Sequence, residues 1–216
     1  MNVLVVMPCH GRVKKTVALW PRLLQTAGME AIWVAVADGD GACWDALVEV
    51  KGIQVMNNVR SMGYWHCMSQ AAQRYAQADT LIVNIANDVL PGLHWLKDGV
   101  AAYQERFPIG GGVMGFIDGV QKGNQVPHFI AGAELLRSWY GDDYYPLMYR
   151  HSFADTEVCV RAAEAGRYAI ARFAVLYHNH LLTGAPDDAT YKLGSSTWEA
   201  DQQTFMNRMR KWQQAH

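Results

Sequence analysis

Acidic and histidine side chains recur directly after four apolar stretches of this 216-residue sequence. The four segments are Pro8-Cys9-His10-Gly11-Arg12, Asp38-Gly39-Asp40, Asn87-Asp88 and His178-Asn179-His180. A carboxylate with an imidazole gives a mixed oxygen and nitrogen ligand set that suits Mn²⁺ better than Ca²⁺. A divalent ion held in this way bridges a diphosphate and neutralises charge on a leaving group. These residue types therefore predict a joint site for a metal ion, Mn²⁺ or Mg²⁺, and a phosphorylated ligand.

A second pair of carboxylates, Asp155 and Glu157, lies at the start of a predicted helix. A carboxylate that does not bind the metal can act as general base on an incoming hydroxyl, so both are candidates for this role. A plainer interpretation is that both acids stabilise the first turn of the helix.

The other candidates also have structural interpretations. Asp38 and Asp40 stand beside glycines and can simply build turns. Asp88 can cap the following helix, and the two histidines can be hydrogen-bonded structural groups at a strand end. Each residue alone leaves both interpretations open, whereas their common location favours one site.

The elements that must position these residues alternate along the chain. Buried-strand patterns cover 2–7, 31–37, 53–56, 80–86, 110–116 and 168–177, and helical patterns cover 13–27, 42–50, 64–77, 92–106, 155–166 and the tail to about 213. Short connections between strands and helices indicate an α/β fold with a mostly parallel central sheet flanked by helices. Ligands of such sheets bind at the C-terminal ends of the strands, where the candidate residues stand.

Composition limits the classes of protein. Half of the residues are apolar and the net charge is −1, which excludes global disorder and gives no support to nucleic-acid binding. The four cysteines form no CxxC pair, so packed, reduced thiols are expected. The N-terminus has no signal-peptide pattern, and no apolar run is long enough for an integral membrane segment. We therefore expect a cytoplasmic protein.

No linker or repeat divides the chain, so we predict one domain over residues 1–216. We divide this domain into residues 1–90, residues 91–180, and residues 181–216, the last of which are predicted to form a loop and a C-terminal helix. The stretches 117–127 and 182–195 lack periodicity and are predicted to be loops that flank the site.

The ordered motifs resemble family 2 glycosyltransferases with the GT-A fold over residues 2–180. The matching segments are Val3 to Arg12 (opening strand and turn), Val34 to Gly41 (second strand and its Asp), Asn58 to Gly63, Leu81 to Leu96 (the Asp-x-Asp position), Phe129 to Ala133, Phe153 to Arg161 (the base-bearing helix) and Val175 to His180. The sequence departs from the family pattern at two positions. Ala86 replaces the first Asp of the Asp-x-Asp motif, and Ala154 replaces the Glu that commonly precedes the catalytic base.

The resemblance implies transfer of a sugar from a nucleotide-sugar to an acceptor hydroxyl, with inversion and metal assistance. It implies that residues 1–90 are the nucleotide-binding half of the domain and residues 91–180 the acceptor-side half. It implies Asp155 as catalytic base, and the Ala at position 154 lets Glu157 share or take over that role. The implied metal ligands are Asp88 and, as a further ligand, His178 or His180. The implied nucleotide-binding residues are Pro8, His10, Arg12, Asp38, Asp40, Arg60, Gly63 and Asn87.

A UDP-sugar is expected as donor in preference to a GDP-sugar. The acceptor stays open among a saccharide, a lipid-linked intermediate, a protein side chain and a modified nucleobase, and the sequence predicts no oligomeric state. Two alternative functions also stay open: a nucleotidyltransferase acting on a sugar phosphate, and a non-catalytic nucleotide-sugar-binding module. Release of nucleoside diphosphate rather than pyrophosphate distinguishes sugar transfer from nucleotidyl transfer.

Overall fold

A computed structural model describes residues 1–109, 111–120, 125–180, 183–185 and 188–215. The strands in these residues are β1 Val3–Cys9, β2 Ile32–Asp38, β3 Gln54–Asn58, β4 Leu81–Asn84, β5 Val89–Pro91, β6 Val113–Ile117, β7 Phe129–Gly132 and β8 Tyr168–His178. The helices are α1 Val13–Thr26, α2 Gly41–Leu47, α3 Tyr64–Tyr75, α4 Trp95–Arg106, α5 Ala133–Tyr140, α6 Ala154–Glu164, α7 Ala189–Ser195 and α8 Trp198–Ala215, with a 3₁₀ turn at Gly141–Asp143.

The strands form one sheet in the order β3-β2-β1-β4-β7-β6-β8-β5. The pairs β1–β2, β1–β4, β2–β3 and β6–β8 are parallel, whereas β4–β7, β6–β7 and β5–β8 are antiparallel. The predicted α/β fold with a mostly parallel sheet is confirmed, with antiparallel strands in its second half. Strands β1, β4 and β8 run in the same direction, so their C-terminal ends meet at one edge of the sheet.

The core lies on both faces of this sheet because side chains of each strand alternate between them. In β1, Val5 and Met7 pack with α1 and α4 on one face, and Leu4 and Val6 pack with α3 and α6 on the other. All four side chains are fully buried, as a parallel strand covered by helices on both faces requires. The four cysteines are free and buried, as expected.

Two segments contradict the sequence prediction, and β7 and α5 lie within residues 128–154, to which the prediction assigned no element. Helix α4 begins at Trp95 rather than at 92, because Val89–Pro91 forms a short strand that pairs with the end of β8. The stretch 182–195 was predicted to be a loop, yet Ala189–Ser195 is helical. Both elements are too short for periodicity, and contacts distant in sequence hold them. The predicted loops 117–127 and 182–195 include residues 121–124, 182, 186 and 187, which lie outside the described residues.

Candidate active site

A cavity of about 1030 Å³ opens at the sheet edge where β1, β4 and β8 end. Most of the predicted site residues line it: Pro8, His10, Arg12, Asp38, Gly63, Asn87, Asp88, Asp155, His178 and His180. Three predicted residues, Asp40, Arg60 and Glu157, are not among the residues that line it. Cavities of about 300–1,000 Å³ hold ligands of drug size, so this one has room for a nucleotide-sugar.

Asp88 lies at the centre of the polar wall of the cavity. Its Oδ2 accepts hydrogen bonds from Arg12 Nη1 at 2.7 Å and from Tyr191 Oη at 2.8 Å. Its Oδ1 lies 3.2 Å from His178 Nε2. Burial opposes ionisation of Asp88, but the hydrogen bond from His178 and the charge of Arg12 outweigh it and lower the pKa of this carboxyl. The alternative role of Asp88 as a helix cap is wrong, because α4 begins at Trp95 after His94.

Arg12 contacts two carboxylates at once. Its Nε and Nη2 donate to Asp188 Oδ2 and Oδ1 at 2.7 and 3.0 Å, while Nη1 reaches Asp88. The Tyr191 ring lies against the guanidinium, 4.3 Å from its central carbon. Asp188 and Tyr191 were not predicted from the sequence because they lie in a stretch without periodicity. Asp188 meets Arg12 across 176 positions of the chain.

Histidine rings extend the polar wall away from Asp88. The rings of His178 and His180 are 4.9 Å apart, and the His178 ring is 4.7 Å from that of His128. His128 is 2% exposed, and neither of its ring nitrogens has a hydrogen-bond partner in the described residues. Burial lowers the pKa of His128, so this ring is neutral at pH 7. His128 was not predicted from the sequence, because it is a single histidine beside a predicted loop and has no spacing signal.

The described residues do not fit a divalent metal as they are arranged. In the described part of the chain, no three His, Cys, Asp or Glu side chains are placed to share an ion. Ala86 supplies no second carboxylate, and the cation that contacts Asp88 is Arg12. The structure thus brings the predicted ligands Asp88, His178 and His180 side by side without forming a metal site.

Asp155 faces the cavity from the first turn of α6. Phe153 ends the preceding loop with a φ of 71°, and its ring packs against Trp198 and Phe205 of α8, which fixes the start of the helix. Burial raises the pKa of Asp155 to about 6, although backbone N–H groups and nearby His178 act in the opposite direction. A carboxyl with this pKa exchanges a proton near neutrality, as a general base requires.

Glu157 lies on the other side of the same helix and is fully buried. Its carboxylate accepts from Tyr149 Oη at 2.6 Å, from Arg208 Nε and Nη2 at 2.7 and 2.8 Å, and from Arg161 Nη2 at 2.9 Å. Burial opposes its ionisation, yet these partners lower the pKa of Glu157. The geometry gives Glu157 no access to the cavity, so the suggestion that it shares the base role is wrong.

Asp38 organises the loop that follows β3. Its two carboxylate oxygens accept from Asn58 Nδ2, Ser61 Oγ and the backbone N–H groups of Met62 and Gly63, at 2.7 to 3.1 Å. Two carboxylate oxygens offer about four acceptor positions. These four hydrogen bonds occupy them and leave no acceptor position for the base of a nucleotide.

The remaining predicted nucleotide-binding residues divide between the cavity wall and its supports. Asp40 caps α2 through Cys43 N and also holds Gly11 N, at 3.0 and 2.8 Å, which confirms its turn interpretation. His10 Nδ1 donates to Asp38 O at 2.8 Å. Asn87 donates to Thr16 Oγ1 at 3.0 Å. Arg60 is exposed.

Asp201 of α8 was also missed and fixes the opposite wall of the cavity. Its carboxylate accepts from the backbone N–H groups of Arg150, His151 and Ser152, each at 2.9 Å. Those three residues line the cavity. The C-terminal helix therefore shapes the cavity from 50 positions away in sequence.

Comparison with known proteins indicates a fold but no family. No protein-family model and no curated protein sequence matches the chain. Among solved structures, the mannosyltransferase PcManGT from Pyrobaculum calidifontis, determined in complex with GDP-Man and Mn²⁺, matches with a TM-score of 0.63 at 14% identity. The match covers 82% of this chain, and the chain spans 56% of the length of that protein. The predicted resemblance is confirmed at the level of a glycosyltransferase-like fold.

A second solved structure matches more weakly. Mannose-6-phosphate isomerase from Helicobacter pylori has a TM-score of 0.43 at 12% identity, over 76% of this chain and 80% of that one. A TM-score this low carries no argument about fold or function. In the described residues, no helix combines the length and hydrophobicity needed to cross a bilayer.

Proposed function

We propose that the chain binds a nucleotide-diphosphate-sugar and transfers the sugar to an acceptor hydroxyl, as a family 2-like hexosyl- or pentosyltransferase. The observation that carries the proposal is the shared cavity. It holds a carboxyl with a pKa near neutrality, Asp155, and an arginine, Arg12, beside a buried ionised carboxylate, Asp88. A transferase of this kind needs a base for the acceptor and a cation for the departing diphosphate.

Asp155 is the proposed catalytic base. It takes the proton of the acceptor hydroxyl as the oxygen forms a bond to the anomeric carbon. The bond from that carbon to the diphosphate breaks at the same time, and the electron pair leaves on the diphosphate. Attack opposite the leaving group inverts the anomeric carbon, in agreement with the inverting mechanism that the resemblance implies.

The loop held by Asp38 is the proposed wall for the nucleotide. Gly63 contributes its N–H to Asp38 and has a φ of 94°, a conformation that glycine adopts without strain. Pro8 and His10 line the cavity beside this loop. Asp38 thus acts by positioning backbone against the nucleotide, rather than through a direct contact with the base.

The nucleotide and the metal are the parts of the proposal that the neighbour informs. PcManGT was determined with GDP-Man, which favours a GDP-sugar over the UDP-sugar expected from the sequence. The same structure contains Mn²⁺, so the effect of Mn²⁺ on donor binding is tested, although Asp88, His178 and His180 form no metal site as they are arranged. No step above is assigned to the metal, because Arg12 already contacts Asp88.

The test is a calorimetric screen of GDP-mannose, other GDP-sugars and UDP-sugars, with Mn²⁺ and with EDTA, followed by product analysis. Transfer to trial acceptors, or slow hydrolysis of the bound donor, releases free nucleoside diphosphate. Pyrophosphate as product instead favours nucleotidyl transfer to a sugar phosphate. Binding without any turnover favours the non-catalytic module, for which the single carboxylate left by Ala86 is the motivating observation. Absence of binding to every donor refutes the proposal.

A further inference from the structure

We infer that Arg12 is the residue that binds the donor diphosphate, and that Asp188 occupies the phosphate-binding edge of Arg12 until the diphosphate displaces it. The inference rests on the proposed function and names the group that recognises its substrate. It also assigns Asp188 a role as an internal competitor for that substrate.

The first support is the geometry of the Arg12–Asp188 pair. Nε and Nη2 lie on one edge of the planar guanidinium and meet the two Asp188 oxygens at 2.7 and 3.0 Å. Arginine binds a phosphate through the same two-point geometry that it uses for a carboxylate. Asp188 therefore holds the place that two oxygens of a phosphate group would take.

The second support is that Nη1 of Arg12 and one face of its guanidinium already have partners. Nη1 donates to Asp88 at 2.7 Å, and the Tyr191 ring lies 4.3 Å from the guanidinium carbon. The edge that faces Asp188 is therefore the place where a phosphate can form two parallel hydrogen bonds. A phosphate cannot form those bonds while Asp188 remains there.

The third support is the difference in burial between the two carboxylates. The Asp88 side chain is 8% exposed and that of Asp188 is 28% exposed. Separating an arginine–carboxylate pair costs less free energy when water already screens the carboxylate. Asp188 is therefore the carboxylate that leaves Arg12. Arg12 with both carboxylates carries one net negative charge, which repels a diphosphate. Loss of Asp188 from the group leaves it neutral.

The fourth support is the backbone, which holds Arg12 ready. Gly11 and Arg12 have φ angles of 63° and 53°, and Asp40 fixes the turn through Gly11 N at 2.8 Å. The left-handed conformation is unfavourable for a non-glycine residue, so the surrounding contacts must maintain it. The turn thus presents the arginine at the C-terminal end of β1 before any ligand arrives.

The experiment measures GDP and UDP binding by titration calorimetry in EDTA, with the full chain and its Asp188→Asn and Arg12→Ala variants. Asn keeps an oxygen for the N–H groups of Thr190 and Tyr191, which Asp188 holds at 3.0 and 3.2 Å, but loses the charge. We expect Asp188→Asn to tighten binding about threefold to fivefold. Arg12→Ala should weaken it about 30-fold or more. Inorganic pyrophosphate should follow the same order, and guanosine, which lacks phosphate, should not respond to Asp188→Asn.

Asp142→Asn is the matched control, because it removes the charge from another Arg–Asp pair, one that is exposed and lies outside the cavity lining. Its affinity should equal that of the unmodified chain, and thermal unfolding verifies that each variant is folded. Unchanged or weaker GDP and UDP binding by folded Asp188→Asn overturns the inference, since Asp188 then only positions Arg12. Binding that needs Mn²⁺ and ignores both substitutions also overturns it, while the proposed function stands. Failure of the unmodified chain to bind GDP, UDP or any donor in either condition refutes the proposed function itself.

Discussion

Asp155 and Glu157 are two residues apart on the first turn of α6, yet their surroundings are opposite. Asp155 faces the cavity, no side chain in the described residues is seen to bond its carboxylate, and burial raises its pKa to about 6. Glu157 faces inward and accepts hydrogen bonds from one tyrosine and two arginines, which lower its pKa. Opposite sides of the same helical turn thus carry a carboxylate suited to chemistry and one that maintains the fold.

The difference follows from what packs on each side of α6. Glu157, Tyr149, Arg161 and Arg208 form a group that we call the anchor cluster, and it joins α6 to α8. Arg161 lies between the rings of Tyr140 and Trp212, at 5.1 and 4.2 Å from their centroids. The anchor cluster fixes the helix, and the fixed helix holds Asp155 at the cavity. Substitutions on the two sides should therefore separate stability from activity.

The largest expected effect is the loss of the anchor cluster in Glu157→Ala. Removal of this buried carboxylate leaves two arginine charges without their partner, which costs about 3–5 kcal/mol of the free energy of unfolding. Urea denaturation measures this loss. The fraction that stays folded should keep its turnover, because Glu157 does not line the cavity.

Glu164→Ala is the matched control on the same helix. Glu164 is exposed, and its bond comes from Gln213 Nε2 at 3.0 Å, so its removal should change the unfolding free energy by less than about 0.5 kcal/mol. If Glu157→Ala unfolds before it can be assayed, Glu157→Gln supplies the measurement of turnover. If turnover of folded Glu157→Gln falls as strongly as that of an Asp155 variant, Glu157 is again a candidate catalytic residue.

The next effect is on turnover in Asp155→Asn. An amide cannot take the acceptor proton, so kcat should fall by roughly 100-fold or more, with little change in the KM for the donor. In the unmodified chain the base must be ionised, so kcat should rise with pH through about 6, the pKa of Asp155. The assay follows release of nucleoside diphosphate between pH 5 and 8. Asp45→Asn, an exposed change on α2, is the control and should retain full activity.

A kcat that is unchanged in Asp155→Asn removes Asp155 from the base role. A pH profile that keeps its inflection near 6 in this variant, with reduced kcat, assigns the inflection to another group. Either result breaks the contrast between the two sides of α6, since activity would then not depend on the carboxylate that faces the cavity.

The sequence predicts the sheet edge well because that information is local. Apolar runs mark β1, β2, β4 and β8, and the polar residues that follow them reach one cavity as parallel strands require. Which neighbouring acid faces the cavity is not local. Asp155 and Glu157 both fit the first turn of a helix, and the distinction depends on Arg208, 51 residues further along the chain from Glu157.

The same limit explains the residues that were missed. Asp188 and Tyr191 stand in a stretch without periodicity, and only the folded chain brings them to Arg12 and Asp88. Asp38 illustrates a different case. Its position at the end of β2 was predicted, but its four hydrogen bonds to the loop after β3 depend on the parallel pairing of these strands.

The smallest expected effect is on the pH dependence of stability, where the two carboxyls act with opposite signs. A folded-state pKa of about 6 for Asp155, against about 4 in the unfolded chain, means that protonation stabilises the folded state as pH falls from 6 towards 4. The lowered pKa of Glu157 gives stability that is present above its unfolded pKa and is lost as pH falls below it.

Asp155→Asn should therefore raise Tm by a few degrees at pH 7.5, and this gain should shrink at pH 5. Differential scanning calorimetry across this range checks it beside Asp45→Asn, whose difference from the unmodified chain should stay constant. A gain in Tm that does not change with pH would mean that the Asp155 charge costs the fold nothing, and the contrast with Glu157 would then rest on geometry alone.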